Sequence, residues 1–286
     1  MGKKGKKAQA GKPKKLTPKD IGKRLNALAK NLEEELKGAD LFKPLLPTED
    51  CAICLVPLSR MSVNSNYRAC CGNMICVGCA EENKALIRRQ NEKKGKVDTC
   101  PFCRAPRPSD SDEYVRQLEA RALKNDYIAL RKLGFCSMEG SCGLPKDDLK
   151  GLEYWIRAAE LGSPAACTCI GIFYREGNGV AVDKERAAFF QRVGALRGCI
   201  FARNNIGVSE YNNFGNYEIA IRHWKIAAEA GNQGSLDALR DIYNKKEPGR
   251  EFITKDYLDF AFRACHGAQM EVKSEEREKH SSIEEW

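Results

Sequence analysis

Two kinds of segment are missing from this sequence. It contains no run of about 18 apolar residues that could span a membrane, and its first residues lack the short apolar core of a secretory signal peptide. Both absences predict an intracellular protein, cytoplasmic or nuclear, that makes no use of a membrane. Histidine is scarce as well: the chain has three, and none lies between Cys51 and Cys103. Acid–base catalysis by histidine is therefore excluded from that stretch.

The composition is that of a folded protein rich in cysteine. Its 286 residues are 42% apolar and 30% charged, which is enough for about two domains with their own cores. Fourteen residues are cysteines. Because the glutathione pool inside cells keeps thiols reduced, we expect these cysteines in metal sites and buried positions before disulfides.

Positive charge is concentrated at the N-terminus. Residues 1–30 contain eleven Lys or Arg against one Asp, a net charge of +10, whereas the whole chain carries +9. Residues 1–20 are predicted to be a disordered basic tail, since residues 1–15 contain no apolar side chain able to anchor a fold. Residues 1–30 fit a nuclear address or a contact with nucleic acid or another anionic surface, and equally a solubilising role. Residues 271–286 are predicted to be a second charged tail.

An amphipathic pattern follows the basic tail. Residues 21–47 are predicted to form a helix and a linker, because five apolar residues recur every three or four positions with charges between them. These residues are Ile21, Leu25, Leu28, Leu32 and Leu36. The helix is expected to end at Gly38, and its apolar face is suited to docking on a neighbouring domain.

Residues 48–108 hold eight cysteines, as three CxxC pairs and one adjacent pair. A CxxC turn directs two thiolates toward one tetrahedral zinc ion, and two closed zinc sites need eight ligands. The candidate ligands are Cys51, Cys54, Cys70, Cys71, Cys76, Cys79, Cys100 and Cys103. Two four-thiolate sites leave no open position for water or substrate, so we expect two structural Zn²⁺ ions.

The order of these ligands resembles the RING finger family. The matching segments are CAIC at 51–54, CGNMIC at 71–76 with CVGC following, and CPFCR at 100–104. The resemblance implies a cross-brace, in which the first and third ligand pairs hold one zinc and the second and fourth pairs hold the other. Asn73 stands where the family has a histidine ligand, and we expect Cys70 to substitute for it.

The same resemblance implies a partner. RING domains of ubiquitin ligases bind a ubiquitin-conjugating enzyme through a shallow apolar groove and need no nucleophile of their own, so no catalytic residue is assigned. Ile53 and Pro101 match apolar contacts to the conjugating enzyme, and Arg104 matches a basic contact to ubiquitin and that enzyme. The alternative is a non-catalytic adaptor, in which Ile53 only packs its turn and Arg104 is a solvated charge. Nucleic-acid binding is a third interpretation, although residues 51–108 lack a concentrated basic patch.

Beyond Pro108 the sequence repeats itself. Five residues recur 36 positions later: Gly143, Asp147, Tyr154, Ala159 and Gly162 return as Gly179, Asp183, Phe190, Ala195 and Gly198. A third copy follows after 33 residues, and a fourth, around residues 242–264, is vague. A period near 36 predicts stacked helix pairs, an α-solenoid, over residues 109–270.

These repeats resemble Sel-one-like repeats, relatives of the tetratricopeptide class, most sharply in GNGVAVD at 177–183. The resemblance implies a protein-binding scaffold without catalytic residues, here holding a protein substrate on a concave face. We expect the aromatic side chains at helical spacing to lie in the core. The complete fold expected is a small zinc-stabilised α+β RING-type cross-brace module followed by an all-α helical-repeat solenoid.

Six cysteines remain outside the predicted zinc sites. They follow no ligand spacing, so we expect buried structural thiols. Cys265 and His266 are adjacent, but neighbours along a helix face different directions, so they are not expected to act together.

Overall fold

The structure is a computed structural model, which describes residues 17–270 except 46, 56, 59, 61–64, 95–98, 178 and 179. The predicted tails over 1–16 and 271–286 lie outside the described residues. Within that part of the chain there are eleven α-helices and two strands. In chain order they are α1 Pro18–Leu36, β1 Ser65–Tyr67, β2 Met74–Cys76, α2 Val77–Lys94, α3 Ser111–Ala122, α4 Tyr127–Glu139, α5 Asp148–Glu160, α6 Pro164–Glu176, α7 Lys184–Leu196, α8 Ile200–Ser209, α9 Tyr217–Glu229, α10 Gln233–Lys245 and α11 Lys255–Met270.

Helix α1 begins three residues before the predicted start at Ile21. Thr17 caps it: the Thr17 hydroxyl accepts the Asp20 backbone N–H, and the Asp20 carboxylate accepts the Thr17 backbone N–H in return. Pro18 occupies the first turn, where its missing N–H costs nothing. Residues 18–20 are therefore helical, not part of a disordered tail. The helix stops before Gly38, which has φ +67°.

The apolar face of α1 is buried against the second helices of the repeats, α5 and α7. Its four central aliphatic side chains are at most 3% exposed; they are Ile21, Leu25, Leu28 and Leu32. Ion pairs flank this apolar contact on both sides. Arg24 pairs with Glu160 of α5 at 3.0 Å, and Glu35 pairs with Arg197, just after α7, at 2.6 Å. The helix is thus docked on the repeats, as its sequence pattern indicates.

The linker after α1 continues along the same edge of the repeats. The Arg203 guanidinium donates to the Leu41 carbonyl oxygen. The Phe42 ring lies 4.8 Å from the His223 ring, and the Arg222 guanidinium carbon lies 3.8 Å from the centre of the Phe42 ring. Residues 18–42 therefore contact three successive repeat units.

The cysteine-rich segment is a small α+β unit with little core of its own. Strands β1 and β2 pair antiparallel, with Asn66 opposite Ile75, and α2 follows β2 directly. Apart from cysteines, the buried apolar cluster among its described residues consists of Leu58, Ile75 and Ala80. So few buried side chains cannot stabilise such a unit alone, and a further source of stability is needed.

The α-solenoid predicted for the helical part is confirmed. Helices α4 to α11 form four successive pairs, and α3 packs on α4 ahead of them. Asp147 and Asp183, which recur in the sequence, are the N-caps of α5 and α7. Trp155 and Trp224 lie in the core.

Two of the recurring glycines mark close helix contacts. A Cβ atom at Gly134 would overlap the Trp155 ring, and one at Gly207 would lie 2.5 Å from the Trp224 ring nitrogen. The first helix of each of these pairs can approach its second helix only because no side chain intervenes.

Two features of the repeats differ from the sequence-based expectations. Cys136 and Cys142 form a disulfide between α4 and the loop that follows it, where two reduced thiols were expected. In the shortened third copy, α8 continues into a π-helical turn, Glu210–Phe214, which ends at Gly215. The other four cysteines outside the predicted zinc sites are buried thiols, and burial raises the pKa of Cys167 to about 11.

We predict that Leu25→Ala destabilises the folded chain by about 2–5 kcal/mol, because it opens a cavity between α1 and the repeats. Urea denaturation followed by circular dichroism measures this change. The matched control is Leu123→Ala, at a side chain that is 83% exposed, which should alter the unfolding free energy by no more than about 0.5 kcal/mol. Equal effects of the two substitutions would contradict the docking of α1.

We also predict an acid-sensitive linker contact at His223. Its burial, together with the nearby Arg203 and Arg222, lowers the His223 pKa to about 4. Unfolding restores a pKa of about 6.5, so stability is complete above that pH and falls by up to about 3 kcal/mol as the pH drops to 4. His223→Gln should remove this part of the pH dependence in urea titrations at pH 4 to 7. His266→Gln, at an exposed position, is the control, and parallel curves for wild type and His223→Gln would contradict the assignment.

Candidate metal centres

The eight cysteines predicted as ligands form two separate groups of four. Within each group all four Sγ atoms lie within 4.8 Å of one another. The first group is Cys51, Cys54, Cys76 and Cys79, and the second is Cys70, Cys71, Cys100 and Cys103. Four sulfur atoms this close can surround one tetrahedral cation. Zinc binding by these two groups stays a prediction.

Each group includes one CxxC turn of the same local shape. In the first, the Leu55 N–H donates to the Cys51 carbonyl at 2.9 Å, and in the second the Arg104 N–H donates to the Cys100 carbonyl at 3.0 Å. Leu55 and Arg104 both have φ +58°, in the left-handed region. This reversal turns both cysteine side chains of each pair to one side, which a shared metal requires.

The remaining ligands come from different elements. In the first group Cys76 ends β2 and Cys79 lies in the first turn of α2. Backbone N–H groups point at the sulfurs: the Cys76 N–H donates to Cys51 Sγ at 3.3 Å, and the Cys79 N–H donates to Cys76 Sγ at 3.4 Å. In the second group, Cys70 and Cys71 belong to a turn just after β1. N–H donors of this kind favour thiolate over thiol.

The protonation behaviour of the thiols fits a cation site. Burial opposes ionisation of Cys51, but the N–H groups of Cys54 and Cys76 lower its pKa to about 6. Burial and the neighbouring Cys76 raise the pKa of Cys79. One thiol in the group is thus easily ionised while another resists, because burial and the neighbouring sulfur both oppose a second negative charge. A divalent soft cation removes this repulsion, so the donor set fits Zn²⁺.

The second group also contains one thiol with a lowered pKa and another with a raised pKa. Burial opposes ionisation of Cys100, but backbone N–H groups of Cys103 and Phe102 lower its pKa. Burial and contacts with Cys103 and Cys100 raise the pKa of Cys70. The Asn73 side chain donates its amide N–H to Cys71 Sγ at 3.4 Å, as a hydrogen-bond donor beside the group. The geometry therefore includes Cys70 among the four sulfurs and gives Asn73 a supporting contact.

The side chains predicted to contact a conjugating enzyme lie at the surface. Ile53 is 44% exposed, and Pro101 and Arg104 are exposed at the Cys100–Cys103 turn. Sequence reasoning missed two further apolar side chains of this segment, Leu55 at 74% and Leu86 on α2 at 47% exposed. Two features of the sequence could have indicated them: Leu55 directly follows the ligand Cys54, and Leu86 lies in the helical segment after CVGC.

Cys265 and His266 do not form a catalytic pair. The Cys265 thiol is buried and donates to the Gln233 side-chain oxygen at 3.8 Å. The His266 side chain is exposed, with its ring stacked on Phe262.

The Sel1 repeat family model matches residues 128–163, 164–190 and 207–232. The chain contains Sel1 repeats. The sequence-based prediction is thus confirmed for three units, while no RING-type family model matches the cysteine-rich segment. Sel1 repeats indicate protein–protein interaction. Along the described residues no helix is both long and apolar enough to cross a bilayer.

Two solved structures are similar to part of the chain. The chain is 31% identical to the Sel1 repeat protein from Oxalobacter formigenes, over 54% of this chain and 64% of that one, with a TM-score of 0.47. It is 22% identical to a protective antigen of uropathogenic Escherichia coli that displays an SLR fold, over 66% of this chain and 40% of that one, with a TM-score of 0.47. The chain thus spans less than two thirds of either protein. No curated protein matches it.

We predict two zinc ions per purified chain, one in each group of four cysteines, measured by elemental analysis. Cys70→Ala should lower the zinc content to about one per chain, because it removes one of four ligands. Asn73→Ala, which removes only a hydrogen bond to a ligand, should keep both ions and is the control. The ligand assignment is wrong if Cys70→Ala keeps both ions while Asn73→Ala loses one.

Proposed function

We propose that residues 48–108 form a RING-type module around two structural zinc ions, and that the protein is a ubiquitin ligase. The supporting observation is the interleaving of the two cysteine groups along the chain. Cys70 and Cys71 of the second group lie between the Cys51–Cys54 and Cys76–Cys79 pairs of the first. This crossing order is that of a cross-brace, in which each metal connects segments far apart in the sequence.

The proposed zinc ions act in folding, not in chemistry. Four thiolates complete the coordination of each ion, so neither can bind water or substrate. No histidine lies among the ligands. The module's contribution to catalysis is then made at its surface, by holding a conjugating enzyme charged with ubiquitin.

Ile53 and Pro101 are proposed to contact the conjugating enzyme, since each is exposed at the tip of a CxxC turn. Arg104 is proposed to hold the ubiquitin. Its guanidinium offers five donors in a rigid fork that can bridge two partners, and its backbone is fixed by the turn. Holding ubiquitin in one reactive pose accelerates transfer without an acid, base or nucleophile from the ligase.

The Sel1 repeats are proposed to hold the protein substrate. They are docked to the cysteine-rich segment and to α1, so a bound substrate would lie at a fixed position relative to the conjugating enzyme. We also propose an intracellular location, cytoplasmic or nuclear. Residues 1–30 are proposed to contact nucleic acid or another anionic surface, and most of that segment lies outside the described residues.

A non-catalytic adaptor is the second candidate. The family-model match favours this candidate, because it lies within the repeats. In that case the zinc ions would only stabilise a second protein-binding surface beside the repeats.

A discharge assay separates the two candidates. Wild type should accelerate ubiquitin release from at least one charged conjugating enzyme, and Arg104→Ala should slow that release about tenfold, equivalent to roughly 1.4 kcal/mol of lost orientation. Ile53→Ala should act differently, by weakening binding of the enzyme itself. Arg116→Ala, at an exposed arginine of α3, is the matched control and should leave the rate unchanged.

Zinc content is measured on every variant, so that a folding defect is not mistaken for a surface effect. If wild type discharges no member of a panel of conjugating enzymes, the ligase proposal fails and the adaptor remains. If Arg104→Ala discharges as fast as wild type, the role given to Arg104 is wrong.

A further inference from the structure

The two cysteine groups differ in their surroundings. In the first, three of four cysteines are buried, and the apolar cluster of Leu58, Ile75 and Ala80 packs on them. In the second, only Cys100 is buried and Cys103 is exposed. A chelator or a competing ligand reaches exposed ligands first, so a metal in the second group would leave before one in the first.

The second group lies directly beside a junction with the repeats. The Tyr67 hydroxyl donates to Asp126 Oδ2 at 2.7 Å, and the Arg121 guanidinium donates to the same oxygen at 2.9 and 2.8 Å. The other oxygen of Asp126 accepts the N–H groups of Ile128 and Ala129 and so caps α4. A single, largely buried carboxylate thus connects β1, α3 and α4.

Both sides of the Cys70–Cys71 turn pack on the repeats. Ala69 is 5% exposed and belongs to the same core as the repeat helices. Gly72, with φ +83°, lies so close to Arg121 that a Cβ atom there would collide with the guanidinium. The two cysteines therefore lie between two contacts with the repeat domain, only one residue from each.

The turn that carries these cysteines is tight. The Arg68 carbonyl accepts the Cys71 N–H at 3.1 Å and the Gly72 N–H at 2.7 Å, while the Arg68 N–H donates to the Asn73 carbonyl at 2.9 Å. Displacement of Cys70 and Cys71 would move Ala69 and Gly72 with them, because the backbone between them has no slack.

We propose that the metal of the second group holds the cysteine-rich segment on the repeats, and that its loss opens this junction while the first group stays intact. The inference rests on the zinc binding proposed above. Among the described residues, the first group instead packs in a cluster of its own with Leu58, Ile75 and Ala80, and none of its cysteines adjoins a residue of the repeat core in the chain. The second site thus acts as a metal-dependent coupling between the two parts of the chain.

The test uses two ligand substitutions in the full chain, Cys103→Ser and Cys54→Ser, each at a ligand that is not fully buried. Zinc content and amide hydrogen exchange are measured on both variants and on wild type. Each variant should lose one zinc ion. Cys103→Ser should speed exchange over residues 121–130 about tenfold or more, whereas Cys54→Ser should leave that segment within about twofold of wild type.

Tyr67→Phe provides an independent variant that touches no ligand. It should keep both zinc ions and still speed exchange over 121–130, because Asp126 loses the hydrogen bond from the Tyr67 hydroxyl. Residues 236–242 of α10 are the internal control, and their exchange should stay constant in all three variants.

The outcomes distinguish this inference from the proposed zinc binding. A wild-type chain without two zinc ions refutes the zinc binding and the inference together. With two ions present, the inference alone fails if Cys54→Ser opens 121–130 as much as Cys103→Ser, or if Cys103→Ser leaves it protected. Loss of both ions from Cys103→Ser also overturns it, since the two groups would then act as one unit.

Discussion

Four thiols confined within 4.8 Å cannot all be ionised unless a cation lies among them. That constraint governs the cysteine-rich segment, because the apolar cluster of its described residues is too small to stabilise it alone. The backbone is already arranged for such a cation: two CxxC turns share one conformation, and N–H groups point at sulfur atoms. A metal in each group would remove the repulsion between thiolates and supply the stability that the core lacks.

The repeats do not need a metal for stability, since each helix buries its apolar side on its neighbours. Helix α1 and its linker add a contact that stacking alone does not provide, because they cross three successive units. They cover the ends of the second helices, near Glu160 and Arg197. The outward side chains of the first helices, such as Phe135 and Val208, remain exposed. A protein partner of the repeats therefore has to bind a surface that α1 leaves open.

Local patterns in the sequence predicted much of this architecture. The spacing of Ile21, Leu25, Leu28 and Leu32 identified the buried face of α1, since helical periodicity depends only on near neighbours. The repeat period identified the stacked helix pairs. The order of the cysteines, with the family resemblance, predicted the two groups that the structure brings together. The start of α1 at Pro18 could also have been predicted from the sequence, because Thr17, Pro18 and Asp20 form a recognisable cap.

The junction at Asp126 could not be read in this way. Its hydrogen bond to Tyr67 joins residues 59 positions apart, and an aspartate before a helix predicts only a cap. The cap uses one carboxylate oxygen and leaves the other free to accept from Tyr67 and Arg121. The sequence pattern predicts the capping role of Asp126, whereas its contact with Tyr67 depends on the packing of two separate segments. Because Tyr67 lies three residues before the predicted ligand Cys70, this contact, which the sequence could not predict, is also the one through which the proposed metal would act on the repeats.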